Sequence, residues 1–137
     1  MHPTPPRRPG THGLLDLYEV SPTLLQTPDA VTDALRRAAH AARATILGEH
    51  CHHFGEQRGV TAVLLLAESH ISIHTWPEHR FAAVDLFLCG SQSLEAARQS
   101  LLKTFAPARH TWQNIARGDF AVQCNDKGER PLAQNPL

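Results

Sequence analysis

The run from Val60 to Ala67 constrains the fold more than any other segment, because both of its alternating side-chain sets are apolar or small. In a strand, Ala62, Leu64 and Leu66 share one face and Val63, Leu65 and Ala67 the other, since successive side chains point to opposite sides. Such a strand has to be covered on both faces. Further strand-like segments are Leu14 to Tyr18, His70 to Thr75, Phe81 to Leu88 and, with weaker patterning, Arg109 to Ile115. Thr27, Pro28 and Asp29 supply the N-cap, first-turn proline and first-turn acid of a helix. That helix carries Val31, Leu35, Ala38, Ala42 and Ile46 on one face until Gly48 stops it. A second helix, capped at Ser91 or Ser93, carries Leu94, Ala97, Leu101 and Phe105 before Pro107 ends it. Two helices cover only one side of a sheet in 137 residues, so the other side is expected to meet a second sheet within a dimer or larger assembly. The expectation is an α+β fold: a two-layer α/β sandwich, mostly antiparallel, that pairs as a homodimer.

Composition narrows the function classes. Lys plus Arg and Asp plus Glu both number 13, so no global charge favours nucleic acid or an anionic membrane surface as partner. The apolar runs are too short to span a bilayer, and the start lacks the apolar stretch of a signal peptide, which places the chain in the cytoplasm. Cys51, Cys89 and Cys124 are an odd number with no closely spaced pair, which argues against a disulfide framework; Cys51 and Cys124 read as structural. Residues 1–10, with Pro3, Pro5, Pro6 and Pro9, read as a disordered extension, and residues 121–137 as a tail. One domain, residues 11–120, remains between them.

The chemistry lies in Glu68-Ser69-His70-Ile71-Ser72-Ile73-His74-Thr75-Trp76-Pro77-Glu78. A serine hydroxyl set against the carbonyl of its preceding residue can attack it, turning the Glu68-Ser69 amide into an ester. Removal of the Ser69 α-proton then eliminates the Glu68 carboxylate, and the dehydroalanine left behind hydrolyses to a pyruvoyl group and ammonia. The products are residues 1–68 and 69–137. His74 is the nearest base that works near neutral pH. Parity is a difficulty: five residues apart on one strand, Ser69 and His74 point to opposite faces, whereas His70, Ser72 and His74 share one. A turn or bulge is therefore expected near Glu68-Ser69, with strain that favours cleavage.

These residues, followed by Phe81 to Gly90 with its Cys89-Gly90 pair, resemble the signature of the short prokaryotic S-adenosylmethionine decarboxylase proenzymes, a pyruvoyl-dependent family of polyamine synthesis. The resemblance implies cleavage before Ser69, which becomes the pyruvoyl cofactor, with His74 acting in processing and Cys89 as the proton donor in decarboxylation. The pyruvoyl ketone condenses with the substrate amine and draws off the electrons released as carbon dioxide leaves. It further implies that Phe54 stacks on the adenine, Glu78 accepts hydrogen bonds from the ribose hydroxyls, and Trp76 shapes the pocket. The fold it implies is a four-stranded antiparallel sheet with helices on one face, in a homodimer or higher oligomer whose active sites lie at or near the interface. Thr61 stands where relatives commonly have serine, keeping the hydroxyl but adding a methyl, and Gly13 interrupts the first apolar strand.

Members with the same cleavage motif decarboxylate L-ornithine or L-arginine, for which Asp16, Asp85 or Glu78 could supply the distal acid. A metal-binding protein is the rival from another class, drawing on ten histidines and the tract His50-Cys51-His52-His53, although His70 and His74 lack the helical spacing of a metalloprotease pair. A third reading is a paralogue that keeps the dimer without turnover. The decarboxylase reading assigns no residue to a metal and leaves open an activator such as putrescine or magnesium.

Overall fold

The computed structural model describes residues 9–119, so the expected tail and all but the end of the expected extension lie outside the described residues, as does Cys124. Six strands form one fully antiparallel sheet: β1 (Gly10–Tyr18), β2 (Ile46–His53), β3 (Val60–Leu66), β4 (Ser69–Trp76), β5 (Phe81–Leu88) and β6 (Arg109–Arg117). Their spatial order is β2-β3-β4-β5-β1-β6. A short helix α1 (Pro22–Leu25) and the longer α2 (Pro28–Ala41) follow β1, and α3 (Leu94–Phe105) follows β5.

The four-stranded expectation is thereby corrected to six. The strand that the sequence concealed is β2. Its residues Ile46-Leu47-Gly48-Glu49-His50-Cys51-His52-His53 alternate weakly because it is an edge strand with little to bury. Ile46 follows Ala42 by four residues and so mimics another helical turn, but α2 ends at Ala41 and Arg43 leaves it in the left-handed region at φ 62°. Gly48 terminates no helix; it sits in a register shift between β2 and β3. Arg36 of α2 grips Glu49 with both nitrogens (Nε to Oε2 2.7 Å), tying this edge to the helix layer. That hydrogen bond holds the Glu49 carboxyl below the ordinary carboxylate range.

The core lies between the helices and one sheet face. Leu15 and Leu17 of β1, Ala62, Leu64 and Leu66 of β3, Ile71 and Ile73 of β4 and Val84, Leu86 and Leu88 of β5 are buried there, against Val31, Leu35 and Ala38 of α2 and Ala97, Leu101 and Phe105 of α3. The expected apolar stripes of both helices thus face the sheet. Ser93 is the N-cap of α3, accepting the Ala96 N–H at 3.1 Å. Thr27 precedes α2 but its hydroxyl donates to the Thr23 carbonyl instead. The Gly13 interruption has a packing reason: a Cβ there would lie 2.3 Å from the Trp112 indole of β6, which fills the space.

The second face of the sheet is open. Leu65 is 58% exposed, Val63 38%, Trp76 39% and Ile115 42%, so the opposite side chains of the doubly apolar β3 have no cover among the described residues. No helix among the described residues is long and apolar enough to cross a membrane.

At the β2–β3 loop, Gly59 passes against β4 so closely that a Cβ would stand 2.1 Å from the Thr75 carbonyl oxygen, a backbone atom that cannot swing aside. Gly59→Ala is expected to cost about 1–3 kcal/mol of stability, read by denaturant unfolding in an uncleavable Ser69→Ala background.

Candidate active site

β3 and β4 are joined by a two-residue turn, Ala67-Glu68, with Leu66 paired to Ser69. Glu68 adopts φ 60°, a left-handed conformation that costs a residue with a Cβ about 1–2 kcal/mol. The expected turn and strain therefore fall on the residue that donates the scissile carbonyl. Ser69 is the first residue of β4 and only 6% exposed, on the helix side with Ile71, Ile73 and Thr75. Its hydroxyl lies 2.9 Å from the Ala67 carbonyl and 2.9 Å from Gln92 Oε1. Gln92 Oε1 also accepts the Cys89 N–H at 3.0 Å, and Cys89 Sγ lies 3.3 Å from Ser91 Oγ. The bond to be cleaved and the expected proton donor thus share one end of the sheet.

His74 occupies the open face, as parity requires. The turn strains the backbone without bringing the two residues to one side, so the expectation that it would reconcile them is corrected. At roughly 3.4 Å per residue, His74 stands about 17 Å from Ser69 along β4. It pairs directly across the sheet with Thr61, whose Oγ1 is 3.1 Å from His74 Nδ1. If Nδ1 carries the hydrogen and donates it to the threonine oxygen, Nε2 keeps its lone pair and is the free base.

Around this pair, Phe54, Thr61, His74, Trp76 and Glu78 line one pocket of about 510 Å³. Local structure explains the convergence. The β2–β3 loop delivers Phe54, 57% exposed and in edge contact with His52, to one wall, and the alternation of β4 puts His74 and Trp76 on the same face. Trp76 then packs on Phe81 at 5.6 Å, and the short 3-10 turn Pro77–His79 carries Glu78 to the rim. Arg58 also lines the pocket and was not anticipated, since a lone arginine between Gln57 and Gly59 gives no sequence signal. Gln92 was missed for the same reason. Of the three acids considered for a distal amine, Glu78 lines the pocket and Asp16 and Asp85 do not. The histidine-rich tract alternates across β2, opposite Val63, Ala62, Thr61 and Val60 in turn, so its neighbours point to opposite faces.

The family model for S-adenosylmethionine decarboxylase matches residues 11–118, nearly the whole described chain. The chain belongs to the S-adenosylmethionine decarboxylase family. It is 42% identical over 109 residues to the S-adenosylmethionine decarboxylase proenzyme of Parasynechococcus marenigrum (strain WH8102), covering 79% of this chain and 84% of that one. The proenzyme of the same name from Thermodesulfovibrio yellowstonii is 42% identical over 97 residues, covering 70% of this chain and 71% of the relative. The crystal structure of the adenosylmethionine decarboxylase from Aquifex aeolicus VF5 superposes with a TM-score of 0.75 at 35% identity, covering 82% of this chain and 92% of that one.

Thr61→Val removes the only hydroxyl facing His74 Nδ1 at nearly constant volume. Loss of one such bond is expected to slow self-cleavage about tenfold, whereas Thr61→Ser should retain the wild-type rate; both are followed by gel separation of the two fragments.

Proposed function

We propose that this chain is a self-processing decarboxylase of S-adenosylmethionine, releasing carbon dioxide and the decarboxylated sulfonium amine that feeds spermidine synthesis. The observation that carries the reading is the convergence of Phe54, Thr61, His74, Trp76 and Glu78 on one pocket, in a member of this family. Aromatic rings beside a carboxylate suit a nucleoside that also bears a sulfonium charge: Phe54 gives a face for the adenine, Glu78 an acceptor for ribose hydroxyls, and the rings favour the cation. Glu78 lines this pocket together with Phe54 and Trp76, which favours the nucleoside over ornithine or arginine.

In processing, Ser69 Oγ adds to the Glu68 carbonyl carbon, the amide C–N bond breaks, and the proton passes to the Ser69 nitrogen. A base then takes the Ser69 α-proton as the Glu68 carboxylate departs. The residues present suit the cofactor that results: a strained carbonyl donor at Glu68, a buried hydroxyl at Ser69 and a thiol at Cys89. The pyruvoyl group derived from Ser69 supplies the carbonyl that captures an amine and accepts electrons. Cys89 returns the proton to the α-carbon, and the pocket orients the substrate.

The separation of the two ends bears on assembly. About 17 Å lies between Ser69 and His74 along β4, on opposite faces, so one chain cannot bring them together. A twofold pair stacked through the open faces sets the His74 pocket of one protomer toward the Ser69 end of its partner. It also covers Val63, Leu65 and Trp76. The Ser69 hydroxyl points to the helices, so tetrahedral geometry turns its α-hydrogen away from them. The proposed enzyme is therefore a homodimer with two composite sites.

Four measurements test this. Purified protein should appear as two fragments meeting at Glu68 and Ser69, the second with a blocked amino end. It should release carbon dioxide from S-adenosylmethionine in preference to ornithine or arginine; the reverse preference overturns the substrate assignment. Coexpressed Ser69→Ala and His74→Ala chains should yield cleaved His74→Ala chain, because each mixed dimer pairs an intact Ser69 with the partner's intact base. No cleavage in the mixture, with cleavage in wild type, refutes the composite site. Cys89→Ala should still cleave but lose at least tenfold in turnover.

A further inference from the structure

Resting on the self-cleavage reading, we propose that Gln92 is the positioning residue of the precursor: its side-chain amide oxygen holds the Ser69 hydroxyl in the conformation for attack and lets go once Ser69 has been converted.

The orientation of the amide follows from its other partner. A backbone N–H can only donate, so the atom that meets Cys89 N–H at 3.0 Å is the oxygen. The same oxygen faces Ser69 Oγ at 2.9 Å, and the hydroxyl is therefore the donor. Its alternative acceptor, the Ala67 carbonyl at 2.9 Å, belongs to the turn itself and would meet a serine here in any fold. Gln92, 23 residues away, is the tertiary group that selects the side-chain conformation. With its hydrogen directed to Gln92 Oε1, Oγ keeps its lone pairs uncommitted and available to the Glu68 carbonyl carbon. An amide oxygen is too weak a base to remove the proton, so Gln92 positions the nucleophile and does not deprotonate it.

The platform under Gln92 is held from both sides. Its own N–H closes a turn onto the Cys89 carbonyl at 3.0 Å, and the next residue, Ser93, donates its N–H to the Ala42 carbonyl at 3.2 Å while capping α3. The Gln92 side chain thus joins the scissile turn to the Cys89 loop, and the backbone of the next residue anchors that loop to the end of α2. The contact is also specific to the precursor. When Ser69 is converted, its Oγ leaves as part of the Glu68 carboxylate and its Cβ becomes the pyruvoyl methyl, so Gln92 Oε1 loses the hydroxyl donor that stood 2.9 Å away. The tie to the loop is thereby released while Cys89 N–H keeps its partner.

The test follows cleavage of freshly purified chains over time, by intact mass and gel, for wild type, Gln92→Met and Gln92→Glu. Methionine keeps the length without an acceptor, and cleavage is expected to slow about tenfold, the equivalent of one ordinary hydrogen bond. Glutamate restores an acceptor for both donors. Its cleavage is expected to equal or exceed wild type at neutral pH and to fall as pH drops through the carboxylate range near pH 4–5, a step that wild type lacks. Thermal midpoints of both variants in a Ser69→Ala background separate positioning from folding, since no chain there can cleave. Wild-type cleavage by Gln92→Met overturns the proposal, as does a folded Gln92→Glu that cleaves no faster than Gln92→Met. A wild-type chain that never cleaves overturns the self-processing reading itself.

Discussion

The alternation of side chains along a strand governs this molecule. β4 begins with Ser69 under the helices and runs through Ile71, Ile73 and Thr75 on the same side, so His70, Ser72, His74 and Trp76 all belong to the other. Shifting the strand by one residue would bury the histidines and expose the core. The same alternation in β3 sends Ala62 and Leu64 inward and Thr61, Val63 and Leu65 outward. Because neighbours in an antiparallel ladder share a face, Thr61 and His74 are placed opposite each other without any special loop. The candidate groups are therefore divided by the sheet: Ser69 on the helix side at one end of β4, and His74 with the aromatic pocket at the other end on the open face.

The division would give the proposed dimer interface a chemical role. A helix layer of α2 and α3 buries one face, and nothing among the described residues covers the second, which presents Val63, Leu65, Trp76 and Ile115. A paired sheet would remove that apolar surface from water and, in the proposed arrangement, close each pocket over the partner's cleavage end. Stability and catalysis would then draw on one interface. The strained turn at Glu68 fits the same scheme, since local strain persists only where the surrounding structure holds it, here through the β3–β4 ladder and the contact from Gln92.

Much of the site was readable from residue identities. The eleven residues from Glu68 to Glu78, with Cys89, supplied the candidate reacting groups, and Phe54, Thr61, Trp76 and Glu78 do meet around His74. Boundaries were legible wherever a cap or a doubly apolar strand left a local imprint, as at Ser93, Val60 and Phe81. They were illegible at β2, where an exposed edge strand carries little apolar periodicity and Ile46 falls by coincidence on the helical spacing of α2. Arg58 and Gln92 left no imprint, because each acquires its role from residues far along the chain.

By itself the sequence determined which groups can react and which faces must be apolar, since bond chemistry and side-chain periodicity are local properties of the chain. The tertiary structure alone decided that Ser69 and His74 stand apart on opposite faces, that six strands rather than four complete the sheet, and that Gln92 reaches the cleavage serine. These depend on strand order and register across residues distant along the chain, which the composition of any short window does not encode.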